Sequence, residues 1–331
     1  MILRKSAYFD RFTCIASACP DSCCKEWDVQ VDPTSAARYR SLPGALGDRL
    51  RQVLQDEDGE TVMTIVDGRC PMWRPDGLCR IQAELGHDAL CRTCREFPRL
   101  THDYGDFIEK GLELSCPEAA RLILSTPYAP PLTCEVEDGE APEYDTEAMD
   151  VLLQTRQKAL RLLNGTPSVP EALTLLLLYG YHAQALLDGE EDFPFDAAAA
   201  LESARQFAGT PTDLRGFFLS LEILTEDWRA LLSVPPCPDI WREEHRRMAC
   251  YFVERYWLQA VSDYDLVSRV KLALVSCLLV RSLGGDVLRT AQLYSKEIEN
   301  DADNVDAILD GAYAHPTLTD AALLGALLKG E

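Results

Sequence analysis

The chain has 331 residues, 47% of them apolar and 26% charged, too apolar for a disordered protein and long enough for two domains with cores of their own. Its formal charge is −22, from 54 acidic against 32 basic residues. That balance argues against a nonspecific binder of nucleic acid or of an anionic membrane, because neutralising phosphate needs an excess of Lys and Arg.

Taken in chain order, the first twenty residues hold no apolar run of signal-peptide length, and Asp10 and Arg11 interrupt what there is. Alternation predicts a short strand over 27–31. Asp32-Pro33-Thr34 then opens a helix to 41, followed by a second near 45–55. Residues 60–66 are β-branched and end at Asp67-Gly68, which reads as another strand. A short helix over 78–85 stops at Gly86, a further turn over 88–96 ends before Pro98, and 106–114 reads as a strand. Ser115, three residues before Glu118, reads as the N-cap of a capping box that opens the next helix.

Residues 126–146 are proline-rich and strongly acidic, the composition of a linker. Beyond them the apolar period is helical, over about 147–163, 170–188, 196–208, 212–233, 241–260, 264–283, 285–299, 303–312 and 317–329. The most apolar stretches, 172–187 and 272–280, fall short of a continuous span of about 20 apolar residues and read as buried helices. The expected fold class is mainly α. An irregular cysteine-rich α+β metal-binding domain (1–130) is joined by an acidic linker (131–146) to an all-α helical domain (147–331). Charge divides the same way, with 20 acidic and 16 basic residues up to Cys134 and 34 against 16 after it.

Thirteen residues are cysteine, and nine of them lie between Cys14 and Cys116. With no secretory signal, the chain reads as cytoplasmic, where structural disulfides are rare and clustered thiols more often serve metal or redox chemistry. The spacing is Cys14-x4-Cys19-x3-Cys23-Cys24, then Cys70-x8-Cys79, Cys91-x2-Cys94 and Cys116. Soft thiolates presented from turns suit zinc or an iron–sulfur cluster. Only Cys91 and Cys94 form a CxxC pair, which departs from a zinc ribbon. Glu26 occupies the third position of the radical S-adenosylmethionine pattern begun by Cys19 and Cys23. Cys237, Cys250 and Cys277 read as small apolar core residues, and Cys134 stays unassigned.

Five segments in order carry a resemblance: FxCxxxxCxxxCCxxW at 12–27, CPxW at 70–73, GLCxIQxxLG at 77–86, TCRxFPR at 93–99 and LSCPEAAR at 114–121. They resemble the flagellin lysine-N-methylase family and a wider group of cysteine-rich zinc- or iron-chelating proteins. The resemblance covers roughly residues 1–130. It implies a protein lysine N-methyltransferase that moves a methyl group from S-adenosylmethionine to lysine ε-amines of flagellin or a similar surface protein. It also implies an iron–sulfur cluster, of the 4Fe-4S type with zinc as the alternative, held from among Cys14, Cys19, Cys23, Cys24, Cys70, Cys79, Cys94 and Cys116. Cys91 stands where that pattern often has serine.

The residues themselves show no glycine-rich turn in a βαβ setting to seat the cofactor, so neither its pocket nor a catalytic base is read from the sequence. A noncatalytic zinc- or iron-binding module with a helical partner-binding domain is the alternative. Arg92, Arg95 and Arg99 are placed to balance a charged cluster or to bind a carboxylate. Tyr8, Tyr104 and Trp27 are candidates for an aromatic lining around a lysine stem or for the core. His87 and His102 are close enough in sequence to join a metal site. His182, on an apolar helix, reads as a hydrogen-bonded core histidine.

Overall fold

The computed structural model describes residues 1–23, 29–57, 59–136, 141–211, 213–235, 237 and 240–329. Cys24, Trp27 and the first half of the strand predicted over 27–31 lie outside the described residues. The strands are Ile2–Lys5 (β1), Val29–Val31 (β2), Leu54–Glu57 (β3), Glu60–Met63 (β4), Arg99–Asp103 (β5), Phe107–Leu112 (β6) and Leu132–Glu135 (β7). Among them run Pro33–Ser41 (α1), Gly44–Val53 (α2), Arg80–Leu85 (α3), Arg92–Glu96 (α4) and Pro117–Ser125 (α5). The rest is helical: Thr146–Gly165 (α6), Val169–Leu187 (α7), Ala197–Phe207 (α8), Arg215–Phe218 (α9), Glu226–Ser233 (α10), Glu243–Tyr256 (α11), Val267–Leu283 (α12), Val287–Ile298 (α13), Ala302–Ala314 (α14) and Asp320–Leu328 (α15). The chain is mainly α with two small sheets. None of its described helices is long and apolar enough to cross a membrane.

Part of the acidity is helix chemistry. Asp145, Asp196, Asp286 and Asp301 each accept first-turn N–H bonds as N-caps of α6, α8, α13 and α14. The predicted cap at Ser115 is corrected. Cys116 holds the N-cap position of α5, while the Ser115 hydroxyl donates to Glu113 at 2.8 Å. The helix predicted over 212–233 is broken into α9 and α10. Between them, the amides of Leu224 and Thr225 donate to the Glu297 carboxylate, and the amide of Glu222 donates to the Asn304 side chain.

The larger sheet has the order β5-β6-β1-β7. β5 and β6 form a hairpin whose turn needs Gly105, at φ +87°, a region that costs other residues a steric penalty. β1 lies parallel to β6, and β7 closes the edge antiparallel to β1. Part of the acidic segment read as a linker is therefore a strand. One hydrophobic core takes in Phe9, Phe12, Phe107, Leu112 and Leu114 together with the helices from Ala148 to Leu327. Apolar packing thus runs on across residue 130.

Residues 29–94 build a second, smaller core. The sheet β2-β4-β3 contributes Val29, Val31 and Met63, and α1 and α2 contribute Tyr39 and Leu50, packed with Met72, Ile81 and Cys91. Asp32 ties this unit together. It caps α1 by accepting from the Ser35 amide at 2.9 Å, and its other oxygen accepts from the Arg92 amide at 2.8 Å, at the start of α4. These bonds hold its carboxyl down to about 2.

Asp32→Ala is expected to cost about 1 kcal/mol, the usual worth of such a cap. Because the folded carboxyl titrates below its unfolded value near about 4, the contribution is present above that pH and lost as pH falls through about 2. Denaturant titrations of both proteins at pH 7 and at low pH check this, and equal stability at pH 7 would contradict it.

Candidate active site

Strand pairing sets one residue from each strand in a row across the larger sheet. His102 lies opposite Glu109, Glu109 opposite Arg4, and Arg4 opposite Thr133. All four line a cavity of about 550 Å³, within the range of roughly 300–1,000 Å³ that small-molecule sites occupy. The roof is helical. Leu153, Arg156, Gln157 and Leu160 follow one face of α6, and Tyr251, Glu254 and Arg255 follow one face of α11.

An ion pair joins floor to roof. The Arg156 guanidinium donates to both oxygens of Glu109, at 2.7 and 2.5 Å, and Arg4 adds a contact at 3.4 Å. Burial pushes the Glu109 carboxyl up, but Arg156 and Arg4 outweigh it and the net shift is downward. Arg255 is likewise engaged, lying 3.1 Å from the buried Glu299 and donating to the Tyr251 hydroxyl at 2.6 Å. That hydroxyl and the Tyr256 hydroxyl both donate to Glu299.

Glu254 is left without a cation. Among the described residues no guanidinium or ammonium pairs with its carboxyl, and Arg156 reaches only its backbone carbonyl, at 3.3 Å. Removal from water pushes this carboxyl up to about 7, with Arg156 acting against the shift, Glu109 adding to it and Tyr8 lowering it. His102 is a second titratable group in the cavity wall. Burial, then Arg255, lowers its pKa, so the ring is neutral near pH 7, and its Nε2 is buried without a hydrogen-bond partner.

None of the described motif thiols lines this cavity: Cys116 belongs to the larger core, while Cys70, Cys79, Cys91 and Cys94 belong to or pack against the smaller one. Cys79, Cys91 and Cys116 stand at the N-cap positions of α3, α4 and α5. Burial raises the Cys79 thiol, against which the Ile81 and Gln82 amides act, and it raises Cys116 to about 12, against the Glu118 and Ala119 amides. Cys91 is lowered, chiefly by the hydrogen bond with the Cys94 side chain. Cys19 feels the charges of Cys14 and Cys23, Cys116 those of Cys19 and Cys23, and Cys79 those of Cys23 and Cys91. Cys70 is buried in the smaller core with its sulfur 3.5 Å from that of Met63. Among the described residues, no three Cys, His, Asp or Glu side chains converge closely enough to hold a metal ion.

Asp21, within the first cysteine loop, anchors that loop. It pairs with Lys296 and accepts from Gln292, both at 3.2 Å, and Gln292 also donates to the Ser115 carbonyl beside Cys116.

The other candidates separate. Tyr8 lines the cavity, whereas Tyr104 stacks on Phe107 at 4.7 Å. His102 faces the cavity, and His87 is exposed beside Asp88. Arg92 pairs with Glu96, and Arg99 lies over the Phe12 ring. Cys250 and Cys277 are buried, but Cys237 is exposed, as is Cys134. His182 is buried as expected, yet both ring nitrogens lack a hydrogen-bond partner, with Asp192 3.7 Å away. Sequence reasoning missed Glu109, Arg156 and Glu254. The available signal for the last was a Glu-Arg pair set inside the apolar run of 249–258.

Fold and site together define a mainly α, cysteine-rich protein with a titratable cavity between a four-stranded sheet and two helices. The chain is 36% identical over 133 residues to the flagellar biosynthetic protein FliU of Salmonella muenchen, covering 37% of this chain and 77% of that protein. It is 36% identical over 133 residues to the lysine-N-methylase of Salmonella typhimurium and 35% to that of Salmonella choleraesuis. The match spans about a third of each methylase, at 32% of its length. The chain belongs to the flagellin lysine-N-methylase family. No family model matches it, and no solved structure matches it.

Arg156→Ala strands the Glu109 carboxylate in the sheet–helix interface and is expected to cost about 3 kcal/mol in denaturant unfolding. Replacing both partners by Leu is expected to cost less than the single change. A single variant within 0.5 kcal/mol of wild type would show that the pair does not hold the roof.

Proposed function

We propose that this chain transfers a methyl group from S-adenosylmethionine to lysine ε-amines of a flagellin-type protein, working in the cytoplasm. The observation that carries the reading is the kinship with proteins named lysine-N-methylase. The cavity supports it, because its volume suits a nucleoside-sized cofactor. Arg161, at the α6 rim, bonds only Gln157 among the described residues and is available to a cofactor carboxylate. S-adenosylmethionine supplies an electrophilic methyl group on a sulfonium. The chain's own task is to hold the amine in line with that methyl, remove its extra proton and exclude water.

The motif thiols are proposed to hold an iron–sulfur cluster, with zinc as the alternative. Their support is the resemblance and the mutual influence of Cys14, Cys19, Cys23, Cys79 and Cys116. No catalytic step is assigned to the group. The alternative of a noncatalytic metal module rests on these same thiols.

Methyl-labelled S-adenosylmethionine, incubated with the anaerobically purified protein and flagellin, is expected to place label on lysine. Label absent from protein in the presence of intact cofactor would overturn the reading in favour of the metal module. The same preparation is expected to carry about four irons and four sulfides per chain, and Cys23→Ser is expected to lose them. Zinc in place of iron, or full metal in Cys23→Ser, would contradict the cluster assignment.

A further inference from the structure

A second concave surface lies on the smaller core and shares no lining residue with the large cavity. Its volume is about 580 Å³, and three short pieces of chain form its walls. Arg49, Gln52 and Val53 belong to the C-terminal half of α2. Val66 and Arg69 flank a two-residue turn, which their own amides and carbonyls close with bonds of 2.8 and 3.1 Å. The loop from Cys70 to Pro75 completes the groove, with Trp73 bridged to Cys79.

Arginine supplies all the charge of this surface. Among the described residues no Asp, Glu or Lys lines it, in a chain whose formal charge is −22. Most arginines of the 29–94 unit are committed elsewhere: Arg40 to Asp56, Arg51 to Asp48, Arg80 to Glu84 and Arg92 to Glu96. Arg38 donates to the carbonyls of Asp88 and Ala89. Arg49 and Arg69 pair with no carboxylate among the described residues, and both line the groove. Arg49 gives its Nε to the Pro71 carbonyl at 3.2 Å, and Arg69 lies over the Trp73 ring at 4.1 Å. A guanidinium stacked by its face keeps its N–H edge for another partner. Arg74, paired with Asp76 at 2.6 Å, adds a third positive group.

We infer that this groove binds a short acidic segment of a partner protein, with carboxylates on Arg49 and Arg69 and apolar side chains against Val53, Val66 and Pro75. The inference goes beyond the methyltransferase reading and is independent of it, since binding here needs no chemistry in the large cavity.

Charge complementarity selects an anion, because two guanidinium forks each match a carboxylate with paired bonds. The composition selects a protein. Arginine and tryptophan set among apolar residues, with lysine and acids excluded, is the make-up of protein-recognition surfaces. Val66, 59% exposed, offers an apolar contact that a sugar–phosphate backbone cannot use. The length of the anion matters as well. Charges are screened over about 8 Å at physiological ionic strength. A segment that ends within the groove therefore meets its arginines and little of the acidic remainder of the chain. A long polyanion would run out over that remainder and be repelled.

The test is direct binding to the full chain, followed by fluorescence anisotropy. A fluorescein-labelled peptide of alternating glutamate and leucine is expected to bind at least about tenfold more tightly than its glutamine–leucine counterpart. Arg49→Gln and Arg69→Gln are each expected to weaken that binding about tenfold. Arg49→Lys is expected to recover only part of the loss, since lysine keeps the charge and lacks the fork. Both arginines are exposed and hold no carboxylate, so thermal unfolding midpoints of these variants are expected to match wild type. Val66→Glu, which sets a carboxylate in the groove, is expected to abolish binding.

Equal affinity for the glutamate and glutamine peptides, or binding of neither, overturns the inference. Full affinity in the Arg49→Gln, Arg69→Gln double variant overturns it too. An oligothymidylate of equal charge that binds more tightly than the peptide would overturn it in favour of single-stranded nucleic acid. A wild type that binds the acidic peptide yet transfers no methyl group to flagellin would overturn the methyltransferase reading and leave this inference standing.

Discussion

The bidentate pair of Arg156 and Glu109 decides what the cavity can do. It joins the middle of the sheet to α6, and both members sit largely out of water. Desolvating two charges is costly, so such a pair earns its place only when its geometry is good and its remaining contacts are filled. Here Arg4 fills one of them, across the β1–β6 pairing. With Arg156 committed to Glu109 and Arg255 to Glu299, the cavity holds guanidinium groups that cannot also neutralise Glu254. An unpaired carboxyl in a half-buried wall is the consequence, and its raised pKa follows from burial rather than from any special contact.

A second constraint acts where the thiols are. Three helices begin at cysteine, so first-turn amides surround the sulfurs of Cys79, Cys91 and Cys116. Asp21 brings the earlier cysteine loop to the same region by pairing with Lys296 on α13, next to the Gln292 bond that fixes Ser115. The cysteine loop is thereby tied to the helical body as well as to its own small core. The Glu113–Ser115 turn lies between this region and the Tyr251–Arg255–Glu299 network, through the Leu114 amide bond to Tyr251.

Much of the fold was legible because it is written in local period. The long helices α6, α7, α12 and α13 lie within a few residues of their predicted bounds, and the Asp and Ser caps of α6, α7 and α13 are local signals too. What escaped is nonlocal. The break between α9 and α10 exists because Glu297 and Asn304, some eighty residues on, supply the bonds that a continuous helix would have made. β7 is a strand because β1 offers it an edge, which the proline-rich composition of 126–146 conceals. The cysteine motifs were plain in the sequence. The cavity was not, since Glu109, Arg156 and Glu254 come from three distant elements and each alone looks like an ordinary charge in an amphipathic segment. Only Glu254-Arg255, enclosed by apolar neighbours, left a local trace.

The central claim is the proposal that the methyl donor binds in the large cavity between the sheet and the two helices. The most direct measurement is a crystal structure of the protein with S-adenosylhomocysteine and a lysine-bearing flagellin peptide. The account predicts the nucleoside and its thioether sulfur in the cavity between the β5–β6–β1 floor and α6 and α11, with the lysine Nε reaching the same cavity. A nucleoside bound elsewhere, or a lysine that does not enter that cavity, would contradict it.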